Sequence, residues 1–505
     1  MAPAFPSGTS LGAMIAPHCA DDQPWLIEVT PGGGQRVLSY GELRDGAGAI
    51  ARGLIDGGLN ARKARIGLIG LNSAEYLLAY YGIMQAGCCA VPMGWKLTSD
   101  TIEFILRDAA VERVYADAHW AARLAPRVPV ERIDTLTPLR TRRPGPTRLD
   151  PVPAALATDP ATILYTSGST GVPKGVPLTH GGYIWTLRAV AVNGGQAIRD
   201  AAARVLTAAP LSHMNALFLA KTVTAYGGTL VLMTAFDARA FLEAAPTHQC
   251  SVVTAVPTML ALSARAREEL PGLDLGCVKS VSMGSAPVTD ALFAEVRALF
   301  PQALVTNNWG TTETGPAVFG PHPQGLPRPP LALGHPLPQV EVRLEGGGVE
   351  GELLVRNGAI MPGYLNREGE TRKRLVDGWY RTGDVMRRDA DGFYYFVGRV
   401  DDMFVCGGEN LYPGEIERLL ETHPEVDQAA VVPIADAIKG QIPAAFIVRK
   451  AGATVSEDAI KAYALANGPV YQHPRFVRFI HEMPLSAANK IDKLQIRMLA
   501  ADLGR

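Results

Sequence analysis

Apolar residues along the first two thirds of the chain alternate between short continuous runs and longer stretches with helical spacing. Short apolar runs bounded by polar residues predict buried strands, and apolar positions three or four residues apart predict helices. The predicted strands are 65–71, 88–92, 161–164, 250–256, 278–283 and 303–308, and the predicted helices are 73–86, 258–268 and 288–300. This alternation favours an α/β fold with parallel-rich sheets flanked by helices.

The pattern changes in the last third of the chain. The segment Pro321–Pro338 contains seven prolines and has no periodicity, and two short strands around a glycine turn follow it. These strands predict a β-hairpin-rich portion. The C-terminal residues predict a small α+β unit, with helices at 413–423 and 456–466 and strands at 428–433, 444–448 and 476–481.

The stretch from Tyr76 to Trp95 carries no formal charge and is long enough to span a bilayer. Gln85 and Pro92 interrupt it, and its pattern changes at Gly87. We therefore expect a buried helix followed by a buried strand instead of a membrane span.

Composition supports a globular, cytoplasmic protein. Of the 505 residues, 47% are hydrophobic and 19% are charged, which excludes a disordered or fibrous chain. The net charge of −1 argues against nucleic acid as a partner. The six cysteines show no paired or metal-ligand spacing, so we expect reduced thiols, and the N-terminus has no basic segment that would indicate a signal peptide.

Small hydroxyl and glycine residues follow the predicted strand at 161–164. Glycine N–H groups can approach phosphate oxygens closely, hydroxyls add donors, and a lysine adds positive charge. The GxxxxGK[ST] spacing of a P-loop cannot be placed on this segment. We predict a phosphate loop that binds through Thr166, Ser167, Gly168, Ser169, Thr170, Gly171 and Lys174.

Three other glycines, Gly346, Gly348 and Gly351, fit the GxGxxG spacing of a dinucleotide site. A predicted strand follows them, whereas a dinucleotide site needs a helix at that point. We therefore predict a hairpin turn here.

The segment YTSGSTGVPKG at 165–175 resembles the phosphate loop of the adenylate-forming superfamily, which includes acyl-CoA synthetases, luciferases and peptide-synthetase adenylation domains. Further segments match in the family's order and spacing, namely WGTTE at 309–313, GWYRTGD at 378–384, GRVDD at 398–402, GGENLYP at 407–413 and PLSAANK at 484–490. The C-terminal half in particular resembles aryl-CoA ligases of the 4-chlorobenzoate, benzoate and hydroxycinnamate type.

This resemblance implies an AMP-forming acyl-CoA synthetase, which is an acid–thiol ligase. Such an enzyme uses ATP and Mg²⁺ to activate a carboxylic acid as acyl-AMP and then transfers the acyl group to coenzyme A. The resemblance also implies a large N-terminal domain, 1–399, that binds ATP and the acid. A small mobile α+β C-terminal domain, 400–505, would rotate between the two half-reactions about a hinge at Asp401.

The resemblance implies roles for single residues at the nucleotide. Glu313 would hold Mg²⁺ together with Thr170, and Thr312 would contact the α-phosphate. Trp309 would stack on adenine where the family usually has tyrosine, and Asp384 would accept hydrogen bonds from the ribose hydroxyls. The remaining nucleotide-binding positions that it implies are Gly284, Ser285, Ala286, Asn308, Gly310, Thr311 and Arg399.

Lys490 matches the catalytic lysine that bridges the attacking carboxylate and the α-phosphate. Ser486 and Asn489 replace the threonine and glycine of the family's PxTxxGK pattern, and Asn tolerates the left-handed backbone that the turn needs. In the second half-reaction the loop Gly407–Glu409 would replace Lys490. The implied CoA-binding residues are Gly407, Gly408, Glu409, Lys96, Lys439, Tyr471 and His473.

His213 matches the family's gating residue beside the reacting carboxylate. The implied acyl pocket consists of His213, Met214, Asn215, Thr254, Met283, Asn308 and Gly315. These positions mix apolar and polar side chains and include no Arg or Lys, which a second carboxylate would favour. We therefore expect an aromatic or phenylpropanoid acid, such as a flat acid that bears a hydroxyl.

Other activities remain open at this point. The alternatives are a medium-chain fatty acid CoA ligase, a free-standing adenylation enzyme that loads a carrier-protein thiol, a luciferase-like oxidase and a catalytically silent nucleotide-binding protein. Intact Lys490, Glu313 and Asp384 argue against the last. We expect small-molecule acid, ATP and CoA as partners, with no nucleic acid and no membrane span, and a homodimer is an open alternative to a monomer.

Overall fold

The computed structural model describes residues 11–14, 19–133, 155–166, 172–192, 200–436, 438–485 and 491–501. The helices are α1 Tyr40–Asp56, α2 Ala74–Gln85, α3 Ser99–Asp108, α4 Ala118–Leu124, α5 His180–Val192, α6 Met214–Tyr226, α7 Ala238–Thr247, α8 Pro257–Ala266, α9 Asp290–Leu299, α10 Glu368–Arg374, α11 Pro413–Glu421, α12 Glu457–Asn467 and α13 Lys493–Ala500. Short 3₁₀ helices lie at Leu11–Met14, Arg267–Glu269, Val400–Asp402 and Val470–Gln472.

The strands carry the topology. They are β1 Pro24–Val29, β2 Gln35–Ser39, β3 Arg65–Ile69, β4 Cys89–Met93, β5 Arg113–Ala116, β6 Val130–Arg132, β7 Pro160–Thr166, β8 Lys174–Thr179, β9 Arg204–Thr207, β10 Thr229–Met233, β11 Val252–Ala255, β12 Ser280–Gly284, β13 Leu304–Asn308, β14 Phe319–Gly320, β15 His335–Pro336, β16 Glu341–Leu344, β17 Glu350–Arg356, β18 Leu375–Val376, β19 Trp379–Arg388, β20 Tyr394–Arg399, β21 Phe404–Cys406, β22 Glu409–Leu411, β23 Val426–Asp436, β24 Gly440–Arg449 and β25 Phe476–Phe479.

A seven-stranded sheet has the order β13-β12-β11-β9-β10-β1-β2. All its neighbouring strands are parallel except the hairpin β1–β2. Helices α7, α8 and α9 cover one face through a buried cluster that contains Phe241, Leu260 and Val296. Because both faces of these strands are covered, their sequences are apolar runs without strict alternation.

A six-stranded sheet has the order β6-β5-β3-β4-β7-β8 and is parallel except for the hairpin β7–β8. Helix α2 begins after Ser73, whose side chain caps the Tyr76 N–H, and all of its residues are buried. It packs in a core cluster that contains Leu26 and Ile66, one from each sheet. The uncharged stretch is thus a core helix and a strand, and within the described ranges every helix is too short or too polar to cross a membrane.

The chain then forms hairpins. Strands β16, β17, β19 and β18 pair in that order, and β20 pairs with β19. The glycine-rich segment is the tight turn between β16 and β17, where Gly346 has φ 82° and Gly347 has φ 72°. The predicted hairpin at the GxGxxG spacing is therefore confirmed.

The C-terminal residues build a separate sheet with the order β22-β21-β24-β23, and β25 pairs with β24. Helices α11, α12 and α13 pack on it through Leu420, Ile460 and Ile496 in a core of its own. The predicted fold class is confirmed: parallel-rich sheets flanked by helices, a hairpin-rich portion and a small α+β unit.

Candidate active site

A row of polar side chains lies at the carboxyl ends of β11, β12 and β13. Thr254 is in register with Ser282, and Ser282 is in register with Thr306, so the three share one face of the sheet. Asn308 follows on the same face and donates from Nδ2 to Ser282 Oγ at 2.6 Å and to Thr306 Oγ1 at 3.3 Å. We call Thr254, Ser282, Thr306 and Asn308 the polar row. Small ligands of parallel α/β sheets bind beyond the carboxyl ends of the strands, which is where this row lies.

Met283 lies on the opposite face from the polar row. It is fully buried in the cluster under helices α7 to α9. Sequence analysis placed it in the acyl pocket with Thr254 and Asn308, and the structure does not bring it together with them. The alternation of side chains along β12 is the reason, since neighbouring residues of a strand face opposite ways.

The turn after β12 brings its backbone close to β13. A Cβ on Gly284 would lie 2.7 Å from the Asn308 carbonyl oxygen, so only glycine fits there. Ser285 has φ +70°, a left-handed conformation that costs energy for a residue other than glycine. This strained turn leaves Ser285 exposed and Ala286 half-buried at the edge of the cleft.

Trp309, Asp384 and Arg399 form one cluster across three elements. Trp309 Nε1 donates to Asp384 Oδ2 at 2.7 Å, and Arg399 Nη1 donates to Asp384 Oδ1 at 2.7 Å. Asp384 is only 5% exposed. Burial raises the pKa of its carboxyl group, and Arg399 and the indole N–H oppose that rise. The structure thus brings together three residues that are far apart in the sequence, beside the polar row.

Glu313 lies on the loop after β13, and its side chain is nearly buried. Its Oε1 accepts a hydrogen bond from the Tyr364 hydroxyl at 2.9 Å, and that hydroxyl lies 3.2 Å from the Tyr380 hydroxyl. Thr312 is half-buried at the edge of the same loop. Thr311 stabilises the loop, since its Oγ1 accepts from the Thr314 N–H at 3.1 Å.

The predicted phosphate loop connects two antiparallel strands. Thr166 ends β7 and is in register with Lys174 at the start of β8. Lys174 Nζ forms an ion pair with Glu370 at 2.9 Å, and Lys174 and Lys373 together lower the pKa of the Glu370 carboxyl group to about 2. Ser167, Gly168, Ser169, Thr170 and Gly171, as well as Lys490, lie outside the described residues.

The predicted hinge residue is held by two arginines. Asp401 Oδ2 lies 2.9 Å from Arg374 Nη2 and 3.8 Å from Arg399 Nη2. Gly383 has φ +73°, and a Cβ there would lie 2.8 Å from Arg374 Nη1. A glycine is therefore needed at this position to let both arginines approach.

His213 precedes the first turn of α6, and Met214 and Asn215 begin that helix. All three side chains are half-buried. The loop before them is fixed by buried Asn72, which accepts from the Leu211 N–H at 2.9 Å and donates to the Ala209 carbonyl at 3.0 Å.

Two glycines of the loop after β13 pack closely against their neighbours. Gly310 packs so closely that a Cβ would lie 2.7 Å from Pro316 Cα. Gly315 has φ +72°, and a Cβ there would lie 3.3 Å from Thr186 Oγ1 and 3.2 Å from Ala359 Cβ.

The candidate CoA residues fall into separate groups. The Gly407 N–H donates to the Lys439 carbonyl at 3.1 Å, so these two are adjacent. Gly407 and Gly408 have φ +61° and +95°, and the turn that they form leads into exposed Glu409. Lys96 lies elsewhere, on the exposed loop after β4 of the six-stranded sheet.

His473 and Tyr471 lie on the segment before β25. Arg475 Nη1 donates to His473 Nε2 at 3.0 Å, and the pKa of the imidazole is lowered, first by burial and then by Arg475. Tyr471 is exposed. His473 is buried, and the Arg475 guanidinium lies beside it on the small α+β unit.

Similarity to known proteins agrees with this arrangement. Residues 17–365 match the AMP-binding enzyme family, and residues 415–490 match the AMP-binding enzyme C-terminal domain. The chain belongs to the AMP-binding enzyme family. The resemblance to adenylate-forming enzymes is thereby confirmed.

Individual AMP-binding enzymes are similar along nearly the whole chain. A feruloyl-CoA synthase of Amycolatopsis sp. is 32% identical over 481 residues, which cover 92% of this chain and 94% of that protein. An indoleacetate–CoA ligase of Aromatoleum aromaticum is 30% identical over 491 residues, with 92% and 94% covered. The ATP-bound structure of MatB from Rhodopseudomonas palustris has a TM-score of 0.87 at 25% identity and covers 99% of this chain and 100% of its own.

Sequence reasoning missed several residues of the AMP-binding enzyme site. Tyr364 donates a hydrogen bond to Glu313, and Arg374 donates one to Asp401. Asn72 accepts one from the loop before His213. Arg328 reaches the end of β13 from the proline-rich segment. These side chains act over long sequence separations, and none lies in a motif that carried the resemblance.

Proposed function

We propose that the chain is an AMP-forming acid–thiol ligase that joins an aromatic or phenylpropanoid acid to CoA through acyl-AMP. The observation that carries this proposal is the convergence of Trp309, Asp384 and Arg399 beside the polar row, at the carboxyl ends of parallel strands. Relatives named feruloyl-CoA synthase and indoleacetate–CoA ligase support the aromatic class.

The Asp384 cluster suits a nucleoside. The indole of Trp309 offers a flat face to adenine, and its N–H fixes the ring against Asp384. Each carboxylate oxygen has two lone pairs, so Asp384 can accept ribose hydroxyls while it keeps its bonds to Trp309 and Arg399. Ser285 and Ala286 would complete the adenine wall.

Glu313, with Thr170, would hold Mg²⁺. The nearly buried Glu313 carboxylate uses Oε1 to accept from Tyr364, and lone pairs remain for a cation. One carboxylate together with substrate phosphates is a common way for proteins to bind Mg²⁺. The bound ion would neutralise phosphate charge, and Thr312 and Lys174 would position the phosphates.

The reaction has two steps. In the first, a carboxylate oxygen of the acid attacks the α-phosphorus of ATP, and pyrophosphate leaves. In the second, the CoA thiolate attacks the acyl carbon, and AMP leaves. Lys490 would donate to the oxygens that gain charge in the first step. His213, Met214, Asn215 and Gly315 would enclose the acid against the polar row.

We propose that the two steps use two poses of the units 1–399 and 400–505, with Asp401 at the hinge. Rotation would withdraw Lys490 and present the loop Gly407–Glu409 to the adenylate. Lys439, Tyr471 and His473 move with that unit, and Lys96 would meet the CoA from the other side. The shared ion pairs of Asp401 support its assignment as the hinge.

The test is CoA-dependent AMP release across benzoates, cinnamates and fatty acids, with MgATP present. We expect turnover with at least one aromatic acid and formation of the matching CoA thioester. Turnover with decanoate and with no aromatic acid would show that the substrates are fatty acids. AMP release that requires a carrier protein instead of CoA would show that the acyl acceptor is a carrier-protein thiol.

A further inference from the structure

Arg328 lies beside the polar row, at the end of β13. Its Nη1 lies 3.4 Å from the Asn307 carbonyl oxygen and 3.4 Å from Asn308 Oδ1. In the described part of the chain no carboxylate pairs with it, and burial alone lowers the pKa of the guanidinium group. A half-buried arginine in an enzyme usually satisfies its charge with a carboxylate or phosphate.

The loop that carries this side chain packs closely against the rest of the fold. Gly334 has φ +120°, and a Cβ there would lie 2.5 Å from the Gly320 carbonyl oxygen and 2.9 Å from Arg328 Nη2. The loop itself is tied to β13, because Asn307 Nδ2 donates to the Leu331 carbonyl at 3.0 Å. This anchored loop therefore places Arg328 at the end of β13.

A purely structural role would use the guanidinium more fully. Arginine has five N–H donors, and the two contacts of Arg328 are long, single and to neutral oxygens. Asn308, the neighbour of the guanidinium, already uses its Nδ2 to bond Ser282 and Thr306. The polar row thus ends in a positive charge whose remaining donors can serve a ligand.

We propose that Arg328, with Asn308, binds an anionic or strongly accepting oxygen on the acid, at the end away from the reacting carboxylate. This inference rests on the proposed function and narrows its substrate class to acids with a second carboxylate or a phenolic oxygen. Charge-assisted bonds to either group have the same chemistry, and two pairs of acids distinguish them.

The experiment compares each acid with its methyl analogue. The pairs are 4-carboxybenzoate with 4-methylbenzoate and 4-hydroxycinnamate with 4-methylcinnamate, and the readout is kcat/KM in the AMP-release assay. We expect the wild type to prefer the oxygen-bearing member of one pair by about 10- to 100-fold, the range of a hydrogen bond to a charged group. The favoured pair identifies carboxylate or phenol.

Arg328→Met should reduce that preference to within about threefold, because the charge-assisted bond to the oxygen-bearing acid is lost. Arg328→Lys keeps the charge without the planar fork, so an intermediate preference is expected. Arg343→Met is the matched control, since that arginine packs on Trp379 away from the cleft.

Three outcomes would overturn the inference. One is a wild type that converts aromatic acids with no preference within either pair, and another is an Arg328→Met variant that keeps the preference. The third is a rise in the KM for ATP that is equal for every acid, which would assign Arg328 to the nucleotide. A wild type that converts no aromatic acid at all overturns the proposed function instead.

Discussion

At the scale of single residues, the contact between Trp309 and Asp384 offers the sharpest test of the proposed nucleotide site. Trp309→Phe keeps an aromatic face but removes the N–H that donates to Asp384. Hydrogen bonds to charged groups contribute about 1.5–3 kcal/mol, so we expect the KM for ATP to rise about tenfold or more with little change in kcat. Steady-state kinetics of AMP release measure both constants.

Trp379→Phe is the control for that substitution. The Trp379 indole lies between Arg343 and Arg356, outside the cleft, so its loss should leave the KM for ATP unchanged. Equal constants for Trp309→Phe and the wild type would mean that the indole N–H does not position the nucleotide site.

The sequence predicted motif residues better than it predicted their supports. Asp384 and Arg399 lie in segments with recognisable order and spacing, and the structure places them in contact. Arg328 lies in a proline-rich segment without periodicity, and only the folded loop brings it to Asn308. The alternation of side chains along β12 could have shown that Met283 and Thr254 lie on opposite faces of the sheet, since the residue in register with Thr254 is Ser282.

At the scale of elements, the pattern of apolar residues located some strands of the two parallel sheets, namely β3, β4, β7, β11, β12 and β13, and missed others such as β9 and β10. Strand β3 and helix α2 were predicted within two residues of their ends, because a capping serine and a buried apolar run are local signals. Strand order is set by contacts between distant segments. Strands β9 and β11 are paired neighbours in the sheet, although β10 lies between them in the sequence.

Helix α11 ends on Glu421, whose environment predicts a pH dependence of stability. The pKa of this carboxyl group is raised to about 8, mainly by burial and further by Glu417 and Asp427, against the opposing effects of the Ala429 N–H and Lys493. The folded state therefore binds more protons than the unfolded state between about pH 4.3 and pH 8, and the free energy of unfolding falls across that range.

Glu421→Gln should remove this fall, because a neutral amide can still accept from Ala429. Its stability relative to the wild type should grow between about pH 5 and pH 8, by at least about 1 kcal/mol. Urea unfolding at several pH values measures this difference. Glu417→Gln removes only one of the charges that raise the pKa of Glu421, so its gain across the same pH range should be smaller than that of Glu421→Gln. Parallel pH profiles for Glu421→Gln and the wild type would contradict the assignment.

At the scale of the whole molecule, polar contacts between described residues join the C-terminal sheet to the rest of the chain. Arg265 of α8 pairs with Asp427 of β23, and Arg418 of α11 donates to the Phe396 carbonyl of β20 at 3.1 Å. The Arg265 side chain is 51% exposed, and an ion pair of this kind contributes about 0–1 kcal/mol, so breaking that pair costs little. This weak attachment is compatible with the two poses that the proposed mechanism needs.

If the enzyme uses two poses, Lys490 should contribute to only one of the two half-reactions. Lys490→Ala should lower the rate of adenylate formation by about 10²–10³-fold, because it removes a donor aimed at developing charge. The same variant, given synthetic acyl-AMP and CoA, should form thioester within about threefold of the wild-type rate, since Lys490 would be withdrawn in that pose. Lys450→Ala, at an exposed lysine of the same unit, should leave both rates unchanged. Equal losses in both half-reactions for Lys490→Ala would show that a single pose performs both steps.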